Sequence, residues 1–283
     1  MRRNVIVLVI VSLVFISSAR AAAVDNGQGQ ASLPDGSTYQ GEFRNGLFDG
    51  RGTLSYANGD RFVGEFRAGL MHGSGKFRSS SGDVFVGEYR DGMPNGKGEM
   101  KHANGDRMGG VYRNGRLNGP GWESWINGQK IVGWMKDDQV EGLCGVSYGE
   151  GSKYIGMCKH GRPEGIGVVK SADGTRYEGE FRRNMPNGHG KQYYKNGARW
   201  EGEFKEGYCN GRGILYFIDG STLSGVFQGY DKMIGKGVLK YANGDRYEGA
   251  IANYGPNGRG VMFRSDGTIQ KGQFENGRFV QPY

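Results

Sequence analysis

Histidines and glutamates are the residues of this 283-residue chain that could carry acid–base or metal chemistry. The chain has four histidines, His72, His102, His160 and His189. They occupy four different offsets of a 23-residue period described below. Scattered histidines of this kind form neither a metal-binding set nor a nucleophile-activating one. We therefore predict no metal, no cofactor and no catalytic residue.

The glutamates, in contrast, repeat. One offset of the same period is filled by Glu42, Glu65, Glu88, Glu180 and Glu203. If each period adds two strands, neighbouring copies are about 10 Å apart, which is too far for two carboxylates to act directly together. A repeated hydrogen bond or salt bridge is the expected role. Glycine pairs such as Gly50-Arg51-Gly52 sit at hairpin positions of the repeat and open no helix, so they predict no phosphate-binding loop. The chain is predicted not to be an enzyme.

Composition favours many short strands over a thick core. Glycine contributes 55 residues, about 19%, against an average near 7%, while aromatic residues still reach 12%. A glycine-rich and aromatic-rich chain suits strands joined by tight turns and does not suit disorder. Without residues 1–21, 34 basic and 29 acidic side chains remain, a net charge of +5. This mild excess does not indicate nucleic-acid binding.

The first 21 residues have the pattern of a signal peptide. Arg2 and Arg3 precede the apolar run Val5–Ile16, and Ala19-Arg20-Ala21 gives a small-x-small cleavage pattern. The alternative, an uncleaved membrane anchor, would need about 20 apolar residues. We therefore expect cleavage after Ala21 or Ala23 and a secreted or periplasmic protein.

A 23-residue period organises the rest of the chain. Its starting segment, Tyr39-Gln40-Gly41-Glu42-Phe43, recurs at Phe62, Phe85, Met108, Ile131, Tyr154, Tyr177, Trp200 and Leu223, then at Tyr247 after one added residue, with a partial copy at Gln270. Glycines keep fixed offsets within each copy. The predicted organisation is a linker and half repeat at 22–38, ten repeats over 39–269 and a partial capping repeat at 270–283.

This pattern resembles the MORN (membrane occupation and recognition nexus) repeat over roughly residues 26–280. The resemblance implies an all-β fold, an elongated single twisted antiparallel sheet of stacked hairpins. Tyr39, Gly41 and Phe43 would share one face of a strand. Turn residues such as Asn58-Gly59-Asp60 tolerate positive φ and would connect the strands. Two strands per repeat predict a length near 100 Å.

A basic ladder is the first departure from a uniform array. The residue after the second aromatic position is basic in eight consecutive repeats: Arg44, Arg67, Arg90, Arg113, Lys136, Lys159, Arg182 and Lys205. The residue before the first aromatic is also often basic, as at Arg61 and Lys130. These ladders could bind anionic lipid or an acidic envelope polymer. Alternatively, they solvate the strand ends and pair with nearby acids such as Asp60.

An apolar strip is the second departure. The glutamate offset becomes apolar at Val111, Trp134 and Met157, and Trp122 and Val168 fill another usually polar offset. An apolar strip on an otherwise charged face is a candidate contact for a partner or for a second copy of the chain. A local variation of the core, covered by a neighbouring turn, is the other interpretation.

Cysteines mark the third departure. Cys144 stands at a usual glycine offset and Cys158 in the next opening strand, so pairing of these two strands would place them nearly opposite each other. A disulfide is predicted there, which leaves Cys209 as a free thiol.

These features predict a non-catalytic extracytoplasmic scaffold that binds protein partners or a second copy of itself. The alternative function is binding of anionic membrane lipid or an acidic envelope polymer through the basic ladder. The two differ in their response to salt, since only the second depends mainly on charge.

Overall fold

The aromatic alternation of the sequence forms short strands in a computed structural model, which describes residues 24–228 and 234–283. The opening strands of the hairpins are seven residues long. They are Thr38–Arg44 (β2), Arg61–Arg67 (β4), Val84–Arg90 (β6), Arg107–Arg113 (β8), Lys130–Lys136 (β10), Lys153–Lys159 (β12), Arg176–Arg182 (β14), Arg199–Lys205 (β16), Thr222–Gln228 (β18), Arg246–Ala252 (β20) and Ile269–Glu275 (β22).

The return strands are mostly nine residues long. They are Gly27–Ser32 (β1), Leu47–Ser55 (β3), Leu70–Arg78 (β5), Met93–Lys101 (β7), Arg116–Ser124 (β9), Gln139–Ser147 (β11), Arg162–Lys170 (β13), Met185–Tyr193 (β15), Tyr208–Tyr216 (β17), Ile234–Lys240 (β19), Gly255–Phe263 (β21) and Arg278–Pro282 (β23). Strands that are neighbours along the chain pair antiparallel, as β1 does with β2 and β12 with β13. The predicted all-β fold of stacked antiparallel hairpins is confirmed.

The described residues divide into two compact units, which meet between residues 144 and 145 of the chain. In the first unit β1 to β10 pair in chain order, and in the second β12 to β23 do the same. The half repeat predicted at 22–38 contributes β1, which pairs with β2. The predicted signal peptide, residues 1–21, lies outside the described residues. No helix of the described residues is long and apolar enough to cross a membrane.

The core lies on one face of the sheet and consists of rings stacked over glycine. Tyr39 and Phe43 are buried on β2, on the same face as Gly41. The Tyr39 ring lies across Gly52 of β3, where an added Cβ would collide with it. The Tyr39 hydroxyl donates a hydrogen bond of 2.9 Å to the Glu42 carbonyl oxygen. Glycine is therefore required at Gly52 because the ring occupies the space of a side chain.

Edge-to-face ring contacts link one hairpin to the next. Each first-position ring meets the second-position aromatic ring of the following hairpin, with centroids about 5 Å apart. Such pairs are Tyr39–Phe66 (5.1 Å), Phe62–Tyr89 (5.0 Å) and Phe85–Tyr112 (5.0 Å) in the first unit, and Tyr154–Phe181 (5.0 Å) and Tyr177–Phe204 (4.7 Å) in the second. Pairs with this geometry each contribute roughly 0.5–1.5 kcal/mol beyond area burial. The array is thus held by contacts between neighbouring repeats.

Hairpins such as β2–β3 close through a two-residue turn followed by a bulge, whereas β18 and β19 pair without a register shift. Asn45 and Gly46 both have positive φ, 52° and 75°, as a type I′ turn requires. The return strand then bulges at Gly50, where φ is 92°, and the pairing shifts between Gly41 and Phe43. This turn and bulge are additional to the turns that the sequence predicted.

The predicted Asn-Gly-Asp turns connect one hairpin to the next. Gly59 has a φ of 89°, and the Tyr56 amide donates to the Asp60 carbonyl over 2.9 Å. The Asp60 carboxylate also accepts a 2.8 Å hydrogen bond from the Ser80 amide in the following loop. Asp83 and Asp106 make the same bond to the next loop. The aspartates therefore link the loops of neighbouring repeats.

Candidate functional site: an apolar patch on the outer face

Residues that alternate with the buried ones point to the opposite side of the sheet, here called the outer face. On β2 these are Thr38, Gln40, Glu42 and Arg44. The Glu42 carboxylate accepts a 3.0 Å hydrogen bond from the Arg51 amide, just after the bulge. The equivalent bonds are Glu65–Ser74 (3.2 Å), Glu180–His189 (2.8 Å) and Glu203–Arg212 (3.0 Å). The expected structural role of the repeated glutamate is confirmed as a cap on the bulge.

In the fourth and fifth repeats this glutamate is replaced by Val111 on β8 and Trp134 on β10. Trp134 on β10 is 57% exposed, Val132 is 44% exposed, and Leu143 on β11 is 68% exposed. Trp134 pairs in register with Pro120, and Val132 with Trp122. Together with Val111, which lies beside Gly119 across the β8–β9 bulge, these residues form a continuous surface. We call Val111, Trp122, Val132, Trp134 and Leu143 the Trp134 patch.

Within this patch the Trp122 ring lies flat against the sheet. An added Cβ on Gly109 would lie 3.0 Å from the Trp122 indole, so the ring lies across β8 at a position where a side chain is missing. The Lys130 ammonium is 5.3 Å from the centre of the Trp122 ring. This cation–π contact and the glycine beneath the ring hold Trp122 half-buried, while Trp134 projects into solvent.

The second unit has its own apolar residues at the same offsets. Met157, Ile155 and Ile166 are exposed, and Ile155 pairs with Val168 across β12 and β13. The structure thus places Val111, Trp122, Trp134, Met157 and Val168 all on the outer face of their units. Sequence reasoning missed Val132, Leu143, Ile155 and Ile166. Comparison of return-strand offsets between repeats, which places Leu143 and Ile166 where Arg51 and His189 stand, could have found two of them.

Other exposed apolar residues on the outer face are isolated by polar neighbours. Val63 pairs with Thr53 on one side and Lys76 on the other, and Val86 pairs with Lys76 and Glu99. Single exposed apolar side chains are normal on protein surfaces. Several adjacent ones are the feature that marks an interaction site.

The eight members of the predicted basic ladder are all exposed, at the last residue of each opening strand from β2 to β16. Arg44 is paired with Asp49, with 3.3 Å between Nε and Oδ1. The other basic positions, at the strand starts, are engaged within the second unit. Arg199 stacks on Tyr216 at 4.1 Å and pairs with Glu201, and Arg176 contacts both Tyr193 and Glu178. Arg176 and Arg199 thus pair with nearby side chains, as the structural interpretation of the basic positions expected.

A half-buried carboxylate lies on the inner face of the first unit. Glu123 pairs in register with Met108, at the offset that carries Leu54 in the first repeat. Burial, with a smaller contribution from Asp138, raises the pKa of Glu123 to about 7. Burial also raises the pKa of Asp138, whose carboxylate accepts a 2.7 Å hydrogen bond from the Leu117 amide. This acid pair is a feature that the sequence analysis did not predict.

The histidines and cysteines give no constellation in the described part of the chain, where no group of three or more His, Cys, Asp or Glu residues could hold a metal ion. Cys144 and Cys158 are both buried, and their disulfide stays a prediction that non-reducing peptide mapping would test. Cys209 is a free thiol on β17, and burial raises its pKa to about 11. A thiol with such a pKa is not an activated nucleophile.

Eight segments of the chain match the family model of the MORN repeat: residues 39–61, 62–84, 85–107, 110–130, 154–176, 177–199, 200–222 and 225–246. They cover more than half of the chain. The comparison with curated proteins finds no match.

Several solved structures match with low TM-scores. One is the TCP domain of SAS-4 from Drosophila melanogaster in complex with a proline-rich motif of Ana2, at 17% identity over 63% of this chain and 90% of that chain, with a TM-score of 0.36. The TCP10 domain of Danio rerio CPAP matches at 11% identity over 86% and 97%, with a TM-score of 0.28. Virginiamycin B lyase from Staphylococcus aureus matches at 14% over 89% and 86%, with a TM-score of 0.16. At these scores the matches do not inform the function of this chain.

Proposed function

This chain belongs to the MORN-repeat family, and on that premise we propose that it is a non-catalytic scaffold that binds protein partners through its outer face. The observation that supports this proposal is the Trp134 patch. Trp134, Val132 and Leu143 are all exposed, at offsets that carry polar residues in the first repeat. Large exposed aromatic side chains on a rigid sheet are typical of the residues that dominate protein interfaces.

The chemistry of the repeated carboxylates favours a binding role over catalysis. Glu42, Glu65, Glu180 and Glu203 each accept a backbone hydrogen bond at a bulge. A carboxylate held in this way stabilises the hairpin and is not presented as an acid or a base to a substrate. These glutamate carboxylates, which are the repeated groups most suited to acid–base chemistry, therefore have a structural role in the hairpins.

An extracytoplasmic location is part of the proposal. It is supported by Arg2, Arg3 and the apolar run Val5–Ile16, followed by small residues at Ala19 and Ala21. Mass spectrometry of the protein purified from its native compartment would test it. A mature chain beginning after Ala21 or Ala23 is expected, and a retained Met1 would contradict export by this route.

The Trp134→Glu variant tests the binding role. Glutamate is the residue of this offset in five other repeats, so the variant should stay folded. It should lose association because a buried tryptophan anchor commonly contributes about 2 kcal/mol or more at an interface. The measurement is paired: thermal unfolding for the fold, and cross-linked capture of partners from the native compartment for binding. A folded variant that captures the same partners at the same level would exclude this face as the site.

Binding of anionic lipid or an acidic envelope polymer through the basic ladder is the second candidate. The observation that favours it is the exposure of all eight members, from Arg44 to Lys205. Sedimentation with phosphatidylglycerol vesicles over a salt series would test it. Binding that weakens steeply with ionic strength is expected for a ladder of exposed charges, while salt-independent association indicates the apolar patch.

A further inference from the structure

The margins of the Trp134 patch carry positive charge. On β8 the outer-face residues Gly109 and Val111 lie between Arg107 and Arg113, and on β10 Lys130 and Lys136 flank Val132 and Trp134 in the same way. All four basic residues are exposed. The three strands β8, β9 and β10 contain one acid, Glu123, and it is on the inner face. The patch is therefore an apolar centre between two basic margins.

Carboxylates near the patch lie at its borders. Glu99 on β7 pairs with Arg107 at 3.4 Å, and both side chains are about half exposed. Asp137 and Asp138 occupy the turn after β10, where Asp138 is electrostatically coupled to Arg116. Glu141 lies on β11. These acids offset part of the positive charge of the basic margins.

A second copy of the chain is a poor occupant of this surface. In a two-fold dimer the same patch contacts itself. Because both ends of β8 and β10 are basic, stacking two such patches face to face would bring basic margins against basic margins. Like charges brought together in an interface disfavour association. The charge pattern thus favours a partner whose own contact surface is acidic at its margins.

The occupant must also be narrow. The outer face of the same unit carries Glu42, Glu65 and Glu88 on β2, β4 and β6. A broad anionic surface, such as a lipid bilayer lying on this face, would meet these carboxylates as well as the basic margins. A single polypeptide segment can contact β8 to β11 and avoid them.

We infer that the Trp134 patch binds a narrow acidic segment of a different protein, with apolar side chains seated on Trp134, Val132 and Leu143 and carboxylates reaching the basic margins. This inference rests on the proposed function and names the chemistry of the partner. Apolar contact provides the affinity, and the pairs with Lys130, Lys136 and Arg113 select for negative charge.

Defined peptides test the inference on the full mature chain. The probes are a short peptide alternating leucine and glutamate, the same peptide with glutamine for glutamate, and the same peptide with lysine for glutamate. Isothermal titration should show the glutamate peptide binding at least about tenfold more tightly than the glutamine peptide. The double variant Lys130→Glu/Lys136→Glu should invert the preference and bind the lysine peptide instead.

A matched control is available on β4, where Arg61 and Arg67 flank Val63 and Glu65 in the same geometry. Arg61→Glu/Arg67→Glu should leave peptide binding unchanged. Equal affinity for the glutamate and glutamine peptides would overturn the inference. It would also be overturned if phosphatidylglycerol vesicles bound the patch and the Lys130/Lys136 variant abolished that binding, or if the wild-type chain self-associated through Trp134 and bound no peptide.

Failure of the inference can be separated from failure of the proposed function. If Trp134→Glu abolishes capture of native partners while the Lys130/Lys136 charge reversal does not, the patch binds protein and the acidic chemistry is wrong. If Trp134→Glu captures those partners as well as the wild type does, the proposed binding face itself is wrong.

Discussion

A carboxylate in a core position sets the pH response of the first unit. Glu123 occupies the offset of Leu54, and burial followed by the charge of Asp138 raises its pKa to about 7. The folded state holds its proton more tightly than the unfolded state, in which the pKa is near its ordinary value of about 4.5. The protonated Glu123 therefore contributes its full stabilisation of the fold below about pH 4.5, and this contribution is lost as the pH rises toward 7.

Glu123→Gln is expected to remove this pH dependence. Relative to the variant, the wild type should lose on the order of 2 kcal/mol of folding stability between pH 4.5 and 7.5, because deprotonation leaves a partly desolvated charge near Asp138. Chemical denaturation at a series of pH values measures the difference. Parallel pH profiles for the two proteins would show that Glu123 does not titrate in this range.

Glutamate substitutions at positions 134 and 111 should differ in their effect on stability. A glutamate at position 134 faces the amide of Leu143, as Glu42 faces the amide of Arg51. A glutamate at position 111 faces Pro120, which has no amide hydrogen. Trp134→Glu should therefore change the free energy of unfolding by less than about 1 kcal/mol, whereas Val111→Glu gains no such bond and should be the less stable variant.

Denaturant titration of the two variants, made in the same background, gives the comparison. If Trp134→Glu is the more destabilised of the two, Trp134 packs as core and the capping argument does not apply to its repeat.

The hairpin shows which parts of the fold the sequence could predict. The alternation at Tyr39, Gly41 and Phe43 correctly predicted a shared buried face, because strand geometry fixes that alternation. The bulge at Gly50 was not predicted, since many glycines share the pattern and nothing local identifies which one has the bulged conformation. The bulge inserts a residue before the outer-face positions of the return strand, which is why the exposure of Leu143 and Ile166 was missed. Glu123 was missed because the residue pattern alone does not show that an acid occupies an inner-face position.

Glycines within the hairpin are expected to differ sharply in their tolerance of a methyl group. An added Cβ on Gly52 would collide with the Tyr39 ring, whereas one on Gly255 would meet nothing within 4 Å. Gly52→Ala should lower the free energy of unfolding by about 2 kcal/mol or more, since a buried ring must move. Gly255→Ala should be close to neutral. Equal thermal stability of the two variants would contradict the packing of the Tyr39 ring against Gly52.

The molecule is built of repeated hairpins, and the pairing of their strands should be kept when one 23-residue repeat is removed. Deleting residues 62–84 joins Arg61 directly to Phe85, so an opening strand with the same pattern follows the loop at Asn58–Asp60. Each strand of the unit pairs only with its chain neighbours, so the remaining hairpins keep their partners. The shortened chain should stay folded, with only a modest fall in melting temperature.

Circular dichroism and thermal melting compare this deletion with a control that removes residues 62–73, about half a period. The control breaks the hairpin and should unfold the adjoining repeats. Similar loss of structure in both deletions would show that the repeats are not interchangeable units.

Pairing between chain neighbours also determines the order in which the protein can be built. The two strands of a hairpin, and the ring that covers its glycine, are complete within 23 residues of chain, and no strand within a unit waits for a partner made much later. A nascent chain can therefore add finished hairpins one at a time, each docking its ring against the one before, while the C-terminal repeats are still being translated. The growing end then leaves one strand edge open at any moment, and the next hairpin to emerge covers it.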